Sequence, residues 1–547
     1  MIPFKSISFV VFINCLACEV GYFLLRRRHR GHESRFCSVF RLASFFWRPV
    51  MAVAAVNIWM RMSDSSMSSR LTYPFYANPW SRNDMSFASR IAGLLSSELS
   101  TAWLALSAIL ASLAALAAAL TARRQRQRRS PNYAIAIPAL FVLAFAFFVS
   151  LASVPYGFFT GEGQKCSMLA NWHESGATML YALPVINSPG RKQRHYLRDF
   201  HKLQGQLEPT IHAASHPPLA SLFVRWIGSV AGVDYSDPSA WRDAKVRLRF
   251  ALGQTAVSAL NAILVFLIGA AMFNTNTGLL AAILWLAAPS VSSYATFAPD
   301  MNYAIFFHGA ILLTWLTATA QDWKRALRFA FPLGLCFSML VLMTFSWCIA
   351  TTIFAVAVVA FGIRDRRGAC DILLRGAPAL AAMALIAGWT ILHHHIDYVA
   401  IYRNSSGYVA SFYHHRSFSE ALLALAGGQV EWLSLLGPMA CSGFIASMLQ
   451  PQSRAPSVKA PTGPRDCDSD GKFFAALLLS VFAVPILFGP PCLKHEVARC
   501  WIWMAAVPLV ISARYWQKHF SPSVCGIVVL CSAFSALFLR LFVRFLA

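Results

Sequence analysis

Acidic, basic and histidine side chains gather in four places along this chain, and each group adjoins an apolar run. The first is a polar loop, residues 155–214, which is followed by His216-Pro217-Pro218-Leu219. Two consecutive prolines hold the backbone extended and remove two amide donors. The sequence therefore predicts a rigid, histidine-bearing start to the next apolar helix, at a water–membrane boundary where ionisable groups are candidates for function.

The other three groups follow later in the chain: Asp300 after a proline, the three histidines 393–395 with the polar stretch up to residue 416, and the pair Glu496 and Arg499. Glu496 and Arg499 are three residues apart, so a helix would place them on one face. A carboxylate can act as a general base on a hydroxyl group, and arginine can hold a phosphate through two hydrogen bonds. Together these residue types suit group transfer from a phosphate-bearing donor.

Each group also has a purely structural interpretation. Asp300 can cap a helix that begins near Met301. Glu496 and Arg499 can form an interfacial ion pair. Three adjacent histidines cannot converge on one ion from a helix, so we expect no metal site and no cofactor. Walker-type glycine loops, GxSxG and HExxH are absent from the sequence, which disfavours an ATPase, a serine hydrolase and a zincin.

The composition fixes the class of protein that positions these groups. Of the 547 residues, 57% are hydrophobic and only 13% are charged, against about 25% charged in soluble domains. The net charge of +24 comes from basic residues in short loops beside apolar runs, as the positive-inside rule describes. We therefore predict a polytopic membrane protein with no nucleic-acid partner. Cys15 and Cys18, the CxxC pair, read as small hydrophobic residues.

The sequence divides into an N-terminal segment, residues 1–90, with one or two apolar helices, and a membrane domain, residues 91–547. The basic block 123–129 marks a cytoplasmic loop, and one span then places the loop 155–214 outside. The stretch 451–472 is predicted to be a flexible cytoplasmic linker. The expected fold is all-α, with about 11–13 spans and an external loop subdomain of short interfacial helices.

The later spans are predicted at 250–272, 279–297, 303–320, 329–362 (long enough for two), 377–392, 433–449, 473–487, 501–511 and 525–546. One conflict remains in this topology. If residues 219–233 cross the membrane fully, Asp300 cannot be outside while the basic loop after Ala320 is inside. A partly inserted helix at 219–233, or a re-entrant neighbour, resolves the conflict, and the shortness of that segment favours the first.

Several runs resemble the C-type integral-membrane glycosyltransferase superfamily, which includes protein O-mannosyltransferases, aminoarabinose transferases and many bacterial members. The matching runs are Tyr196-Leu197-Arg198-Asp199-Phe200, His212-Ala213-Ala214-Ser215-His216-Pro217-Pro218-Leu219, Phe297-Ala298-Pro299-Asp300 and Glu496-Val497-Ala498-Arg499-Cys500-Trp501. They cover residues 196–501. The early Asp-Glu pair of the superfamily is absent, and Glu162 lies nearest its place; Leu219 also replaces a glycine.

The resemblance implies transfer of a sugar from a polyprenyl-phosphate donor at the outer membrane face, with either stereochemical outcome open. Asp199 or Glu162 would be the catalytic acid or base. The substrate-binding residues it implies are His216, Arg198, His212, Asp300, Glu496 and Arg499. The acceptor is a lipid, a glycan or a protein.

We expect a bacterial inner membrane, with the site facing the periplasm and membrane lipid as a further partner. A flippase or transporter of lipid-linked sugars, or a polymerase or ligase of surface polysaccharide, is the alternative. Charges gathered at one face, and the lack of an internal repeat, favour the transferase.

Overall fold

A computed structural model describes residues 75–76, 193–204, 216–230, 244–288, 290–291, 300–412, 432, 436–450, 467–488, 502–520, 524–526, 528–529, 532 and 544–545. Within these ranges the chain is almost entirely α-helical, and five helices are long and apolar enough to cross a membrane. The predicted class, an all-α polytopic membrane protein, is confirmed. The N-terminal segment 1–90, apart from residues 75–76, and several predicted spans lie outside the described residues.

The helices are α1 (Gln193–Gln204), α2 (Leu219–Val230), α3 (Ala244–Met272), α4 (Thr275–Leu286), α5 (Asp300–Thr319), α6 (Trp323–Met343), α7 (Trp347–Arg364), α8 (Ala369–His393), α9 (Tyr398–Phe412), α10 (Pro438–Leu449), α11 (Cys467–Phe488), a 3₁₀ helix (Ile502–Ala505) and α12 (Ala506–His519). Two-residue strands, β1 (Phe75–Tyr76) and β2 (Arg544–Phe545), pair antiparallel with Phe75 opposite Phe545.

Helix α5 lies inside the bundle and contacts α3, α6, α7 and the 3₁₀ helix. Large aromatic side chains fill the space around it: the rings of Phe307 and Trp503 stack with centroids 3.8 Å apart, and the fully buried Trp285 lies edge-on to His308, with centroids 5.7 Å apart. Helix α8 packs mainly on α6 and leaves most of its apolar surface exposed, as in a helix that faces lipid. The outer helices and the buried α5 together form one bundle.

The long apolar stretch 329–362 forms two helices, as predicted. Helix α6 begins earlier than the apolar stretch, at Trp323, because the Asp322 side chain caps it by accepting from the Arg325 amide at 2.8 Å. Backbone helical geometry is interrupted at residues 344–346, where Thr344 is extended. The polypeptide therefore reverses there and returns through the bundle as α7.

Helices α3 and α4 form a tight antiparallel hairpin. A Cβ on Gly269 would lie 2.7 Å from the Cα of Gly278, so only glycine permits this approach. The Asn274 side chain caps α4 by accepting from the Thr277 amide at 2.9 Å. The helix ends at Leu286, so the predicted continuous span 279–297 is wrong. Residues that precede a proline disfavour helical geometry, and Pro289 follows closely.

The basic loop after Ala320 and the basic residues at the end of α7 and the start of α8 lie together at one end of the bundle, which we call the basic end. The basic block 123–129 lies outside the described residues. Arg367 and Arg375 donate to the carbonyl oxygens of Ala318 and Ala320 at 2.8 and 2.9 Å, so the loops after α5 and α7 adjoin each other. Arg364 pairs with Asp470 at 2.8 Å, which brings the start of α11 to the same end.

The prediction of a flexible linker at 451–472 is wrong for the last six residues of that stretch. They are helical, because helix α11 begins at Cys467. Asp468 and Asp470 lie in the first turn of α11. Acidic groups favour the start of a helix, and both aspartates also pair with basic residues of other elements. Hydropathy alone assigns this polar sequence to a loop. The ion pairs stabilise it as a helix.

The opposite end, which we call the Asp300 end, carries the start of α5, the start of α2 and a layer of short helices. The Tyr398 hydroxyl of α9 donates to the Val341 carbonyl oxygen near the end of α6, at 2.8 Å. Helix α1 packs on α9, and α2 contacts α3, α5 and α6. The described part of α2 has 12 residues, or roughly 18 Å. Residues 231–243 lie outside the described residues, so the partly inserted helix stays a prediction.

Candidate functional site

Asp300, Tyr303 and His216 meet at the Asp300 end of the bundle. The Tyr303 hydroxyl donates to Oδ1 of Asp300 at 2.5 Å, and both residues are buried. The two lie three residues apart on α5, so the helix brings them to one face. The Tyr303 ring stacks on the His216 imidazole, with centroids 5.8 Å apart and planes 25° apart. Two of the predicted site residues, Asp300 and His216, are therefore connected through Tyr303.

His216 is held in place by the prolines that follow it. Pro217 and Pro218 are buried, and their carbonyl oxygens accept from the amides of Ala220 and Leu222 at 3.2 and 3.3 Å. These are the first backbone hydrogen bonds of α2, so the prolines occupy positions where no amide donor is needed. The helix starts directly after the two prolines, as predicted, and this start places His216, which is partly buried, beside α5.

Buried amide side chains fix the start of α5. The Gln254 side chain of α3 donates to the Asn302 side-chain oxygen at 2.7 Å, and the Asn261 side chain donates to the Met301 carbonyl oxygen at 2.9 Å. All three amide residues are almost completely buried. Since buried amides are costly unless they hydrogen-bond, these contacts hold α3 and α5 in one register and set the position of Asp300.

Asp199 and Arg198 lie next to each other on the short helix α1. Asp199 forms ion pairs with Arg198 at 3.3 Å and Lys202 at 3.8 Å. Its side chain is 20% exposed and that of Arg198 is 51% exposed. This carboxylate lies at the edge of the buried face of α1, so it is accessible to solvent and lies between two cations. The arrangement suits a group that contacts a charged ligand.

Helix α1 is docked on its neighbours by specific contacts. Gln204 donates to the Ser405 hydroxyl of α9 at 2.8 Å, and Asn404 of α9 donates to the His201 carbonyl oxygen at 3.1 Å. Tyr196 and Phe200 pack in an apolar cluster that includes Leu222 of α2. The helix that carries Asp199 is therefore in contact with the helix that begins after His216.

Tyr196 links α1 to the polar side of α2. Burial raises the pKa of the Tyr196 hydroxyl far above its usual range, and the nearby Ser221 hydroxyl and the charge of Arg225 oppose this only in part. The hydroxyl consequently keeps its proton at neutral pH. Arg225 is exposed and lies close enough to act on Tyr196 electrostatically. It adds a cation to the same end as Arg198.

The structure thus places four of the eight predicted site residues. Asp300 and His216 meet through Tyr303, and Asp199 and Arg198 lie on the adjoining helix α1. The remaining four, Glu162, His212, Glu496 and Arg499, lie outside the described residues. Whether the catalytic group is Asp199 or Glu162 stays a prediction. Asp300 lies in the first described turn of α5. Because residues 292–299 lie outside the described residues, its role as the cap of this helix stays a prediction.

Sequence reasoning missed Tyr303, Gln254, Asn302 and Arg225. The signal for Tyr303 was its spacing of three residues from Asp300. Gln254 and Asn261 are polar residues seven apart in an apolar run, which is two helical turns and hence one face. Such polar residues on one face of a membrane helix indicate a partner inside the protein. Arg225 interrupts the apolar run of α2 in the same way.

The histidines 393–395 do not join this site in the described part of the chain. His393 stacks on Trp389 of the same helix, with centroids 4.8 Å apart, and His395 has a left-handed backbone with φ of 52°. Among the described residues, no group of three His, Cys, Asp or Glu side chains is arranged to hold a metal ion. The chain matches no family model, and a search of curated proteins finds no match.

Proposed function

We propose that this protein is a membrane glycosyltransferase that moves a sugar from a polyprenyl-phosphate donor to an acceptor at the outer membrane face. The observation that carries the proposal is the contact of His216 with the Tyr303–Asp300 pair at the membrane boundary. A buried carboxylate, a hydroxyl and an imidazole there supply the acceptor and donor groups that recognition of a sugar and its phosphate requires.

In this proposal Asp199 deprotonates or orients the acceptor hydroxyl, and Glu162 is the alternative base. Asp199 is partly exposed and lies between Arg198 and Lys202, so its carboxylate is within reach of an acceptor hydroxyl that binds beside these cations. Asp300 is buried and already accepts from Tyr303, which suits a positioning residue. Its carboxylate fixes the Tyr303 ring against His216, so that His216 faces the substrate in one orientation.

The phosphate of the donor would be bound by cations that adjoin this site. Arg198 is half-exposed and Arg225 is exposed, and both lie on the helices that meet at Tyr196. A guanidinium group can take two phosphate oxygens at once and stabilise the charge that develops as the lipid phosphate leaves. Arg499, held by Glu496, is the further phosphate ligand implied by the sequence resemblance, together with His212.

The position of the basic loops supports an outer site. The basic end and the Asp300 end are opposite ends of α5, α6 and α7. Short loops rich in lysine and arginine favour the cytoplasmic side, so the Asp300 end would face the periplasm or lumen. Polyprenyl-linked sugars would then meet their acceptors on that side.

One observation favours the alternative, a flippase or transporter of lipid-linked sugars. Gln254, Asn261 and His308 are fully buried in membrane-spanning helices, and polar groups at membrane depth often mark a transport path. However, Asn261 and His308 contact backbone carbonyl oxygens and Gln254 contacts Asn302. These partners give the polar groups a structural role, which leaves the transferase as the better-supported function.

The proposal is tested by incubating the purified full-length protein with radiolabelled polyprenyl-phosphate sugars and extracts that contain acceptors. We expect transfer of label, and a loss of about 10²–10⁴-fold in Asp199→Asn. Asp397→Asn is a matched control: it removes one charge at the same end, and asparagine can keep the cap on the Ala400 amide. Loss in Glu162→Gln with normal activity in Asp199→Asn would move the base to Glu162. Label that crosses liposomes without transfer would instead support the flippase.

A further inference from the structure

A second polar site lies at the basic end, on the far side of the bundle from Asp300. Helices α10, α11 and α12 and the turn after α3 surround a small pocket that is open to solvent. The residues that line it are Phe273, Ser447, Gln450, Asp468, Lys472, Ile511, Arg514, Tyr515, Lys518 and His519. Three cations and one carboxylate give it a net charge of +2 when His519 is neutral.

Asp468 organises the cations of this pocket. Its Oδ1 accepts from Nε of Arg514 at 2.7 Å, and its Oδ2 accepts from Nζ of Lys518. The side chains of Arg514 and Lys518 lie four residues apart on α12, so they project from one face of the helix. A single aspartate thus holds two cations side by side and leaves an excess of positive charge facing the pocket.

Arg514 is oriented to bind a further anion. Its bond to Asp468 uses Nε, and within the described part of the chain neither of its terminal Nη groups has a hydrogen-bond acceptor. Its guanidinium carbon lies 5.5 Å from the centre of the Phe273 ring, within the range of a cation–π contact. An arginine held in this way can offer its two terminal nitrogens to a phosphate.

The pocket also has an apolar wall, made by Phe273, Ile511 and Tyr515. Free phosphate would gain nothing from such a wall, whereas a phospholipid could place its glycerol and acyl chains against it. Basic pockets between membrane helices on the cytoplasmic side are suited to anionic lipid head groups. We propose that this pocket binds the phosphate of an anionic phospholipid, with Arg514, Lys518 and Lys472 as its ligands.

The test measures lipid binding to the full-length protein in detergent by native mass spectrometry. We expect phosphatidylglycerol to bind more tightly than phosphatidylcholine, and Arg514→Gln to weaken phosphatidylglycerol binding roughly tenfold, as loss of one charge-assisted hydrogen bond implies. Arg328→Gln is the matched control, because Arg328 is exposed near the start of α6 at the same end. It should leave binding unchanged.

A second variant and a competition experiment complete the test. Lys518→Gln, at a half-exposed side chain, serves if Arg514→Gln does not fold, and it should also weaken binding. Inorganic phosphate added in excess should not displace the lipid. Equal weakening by Arg328→Gln, equal affinity for phosphatidylcholine, or full displacement by inorganic phosphate would overturn the proposal. None of these results depends on glycosyl transfer.

Discussion

At the scale of single residues, Tyr303 connects the two predicted groups that the structure brings together. Its hydroxyl donates a hydrogen bond to Asp300, and its ring stacks on His216. Only the spacing of three residues between Tyr303 and Asp300 pointed to the first of these contacts, because a tyrosine in an apolar helix is usually an ordinary packing residue. The carboxylate and the histidine were predictable because ionisable groups at a membrane boundary are costly. The neutral residue that connects them carries no such signal.

We expect Tyr303→Phe to lower glycosyl transfer about tenfold, since it removes one hydrogen bond to a carboxylate and keeps the ring stacked on His216. The turnover number should fall more than the affinity for the donor changes. Tyr398→Phe is the control: it removes a hydroxyl that bonds the Val341 carbonyl oxygen at the same end and should leave transfer intact. Equal loss in both variants, accompanied by lower thermal stability, would show that Tyr303 has only a structural role.

At the scale of helices, the apolar core of each span was predictable, but its ends were not. Helix α8 begins at Ala369, eight residues before the predicted start. The extra turns contain Asp371 and Arg375, which pair at 2.7 Å while Arg375 also donates to carbonyl oxygens of α5 and the residue after it. Hydropathy marks the part of a helix that meets lipid. It does not register a charged turn whose partners come from distant helices.

The hairpin of α3 and α4 depends on glycine. A Cβ at position 278 would strike the backbone of Phe266 and Ala270, and overpacking of this kind costs about 1–3 kcal/mol. We therefore expect Gly278→Ala to lower the thermal unfolding temperature in detergent. Gly388→Ala in α8 has open space around its Cβ and should leave stability unchanged or raise it. A similar loss in both variants would contradict close packing as the reason for Gly278.

The contact between α11 and α12 should depend on pH. Burial alone would raise the pKa of the Asp468 carboxyl, but hydrogen bonds from Arg514 and Lys518 outweigh it and hold the pKa below its ordinary value of 3.8. A lowered pKa in the folded state means that the ionised form stabilises the fold above 3.8 and that this contribution is lost as the pH falls below it.

The measurement is the unfolding temperature of the wild-type protein minus that of Asp468→Asn. We expect this difference to be constant at about pH 5–7 and to shrink below about pH 4, since protonation then removes the same charge from the wild type. A difference that remains unchanged down to about pH 3 would mean that the carboxylate charge of Asp468 does not stabilise the contact.

At the scale of the whole molecule, the charged groups separate to two ends with different compositions. Arg364, Arg367, Arg375 and Arg514 lie at the basic end, paired with aspartates or helix carbonyl oxygens. The Asp300 end carries tyrosine, histidine and amide groups together with the charged residues Asp300, Asp199 and Arg198. The sequence predicted this separation because charge position in short loops follows membrane orientation. It could not predict which groups at each end touch, because those contacts depend on how the helices pack.

The orientation is therefore the prediction on which the proposed function depends most. We expect Arg403→Cys, in α9 at the Asp300 end, to react with an impermeant thiol reagent from the periplasmic side. Lys324→Cys, in α6 at the basic end, should react only after the inner membrane is opened. Both positions are exposed. Each variant is made in a protein whose 13 native cysteines are replaced by alanine. Reaction of both positions from one side would contradict the two-ended arrangement, and the reverse pattern would place Asp300 and His216 in the cytoplasm and exclude a periplasmic transferase.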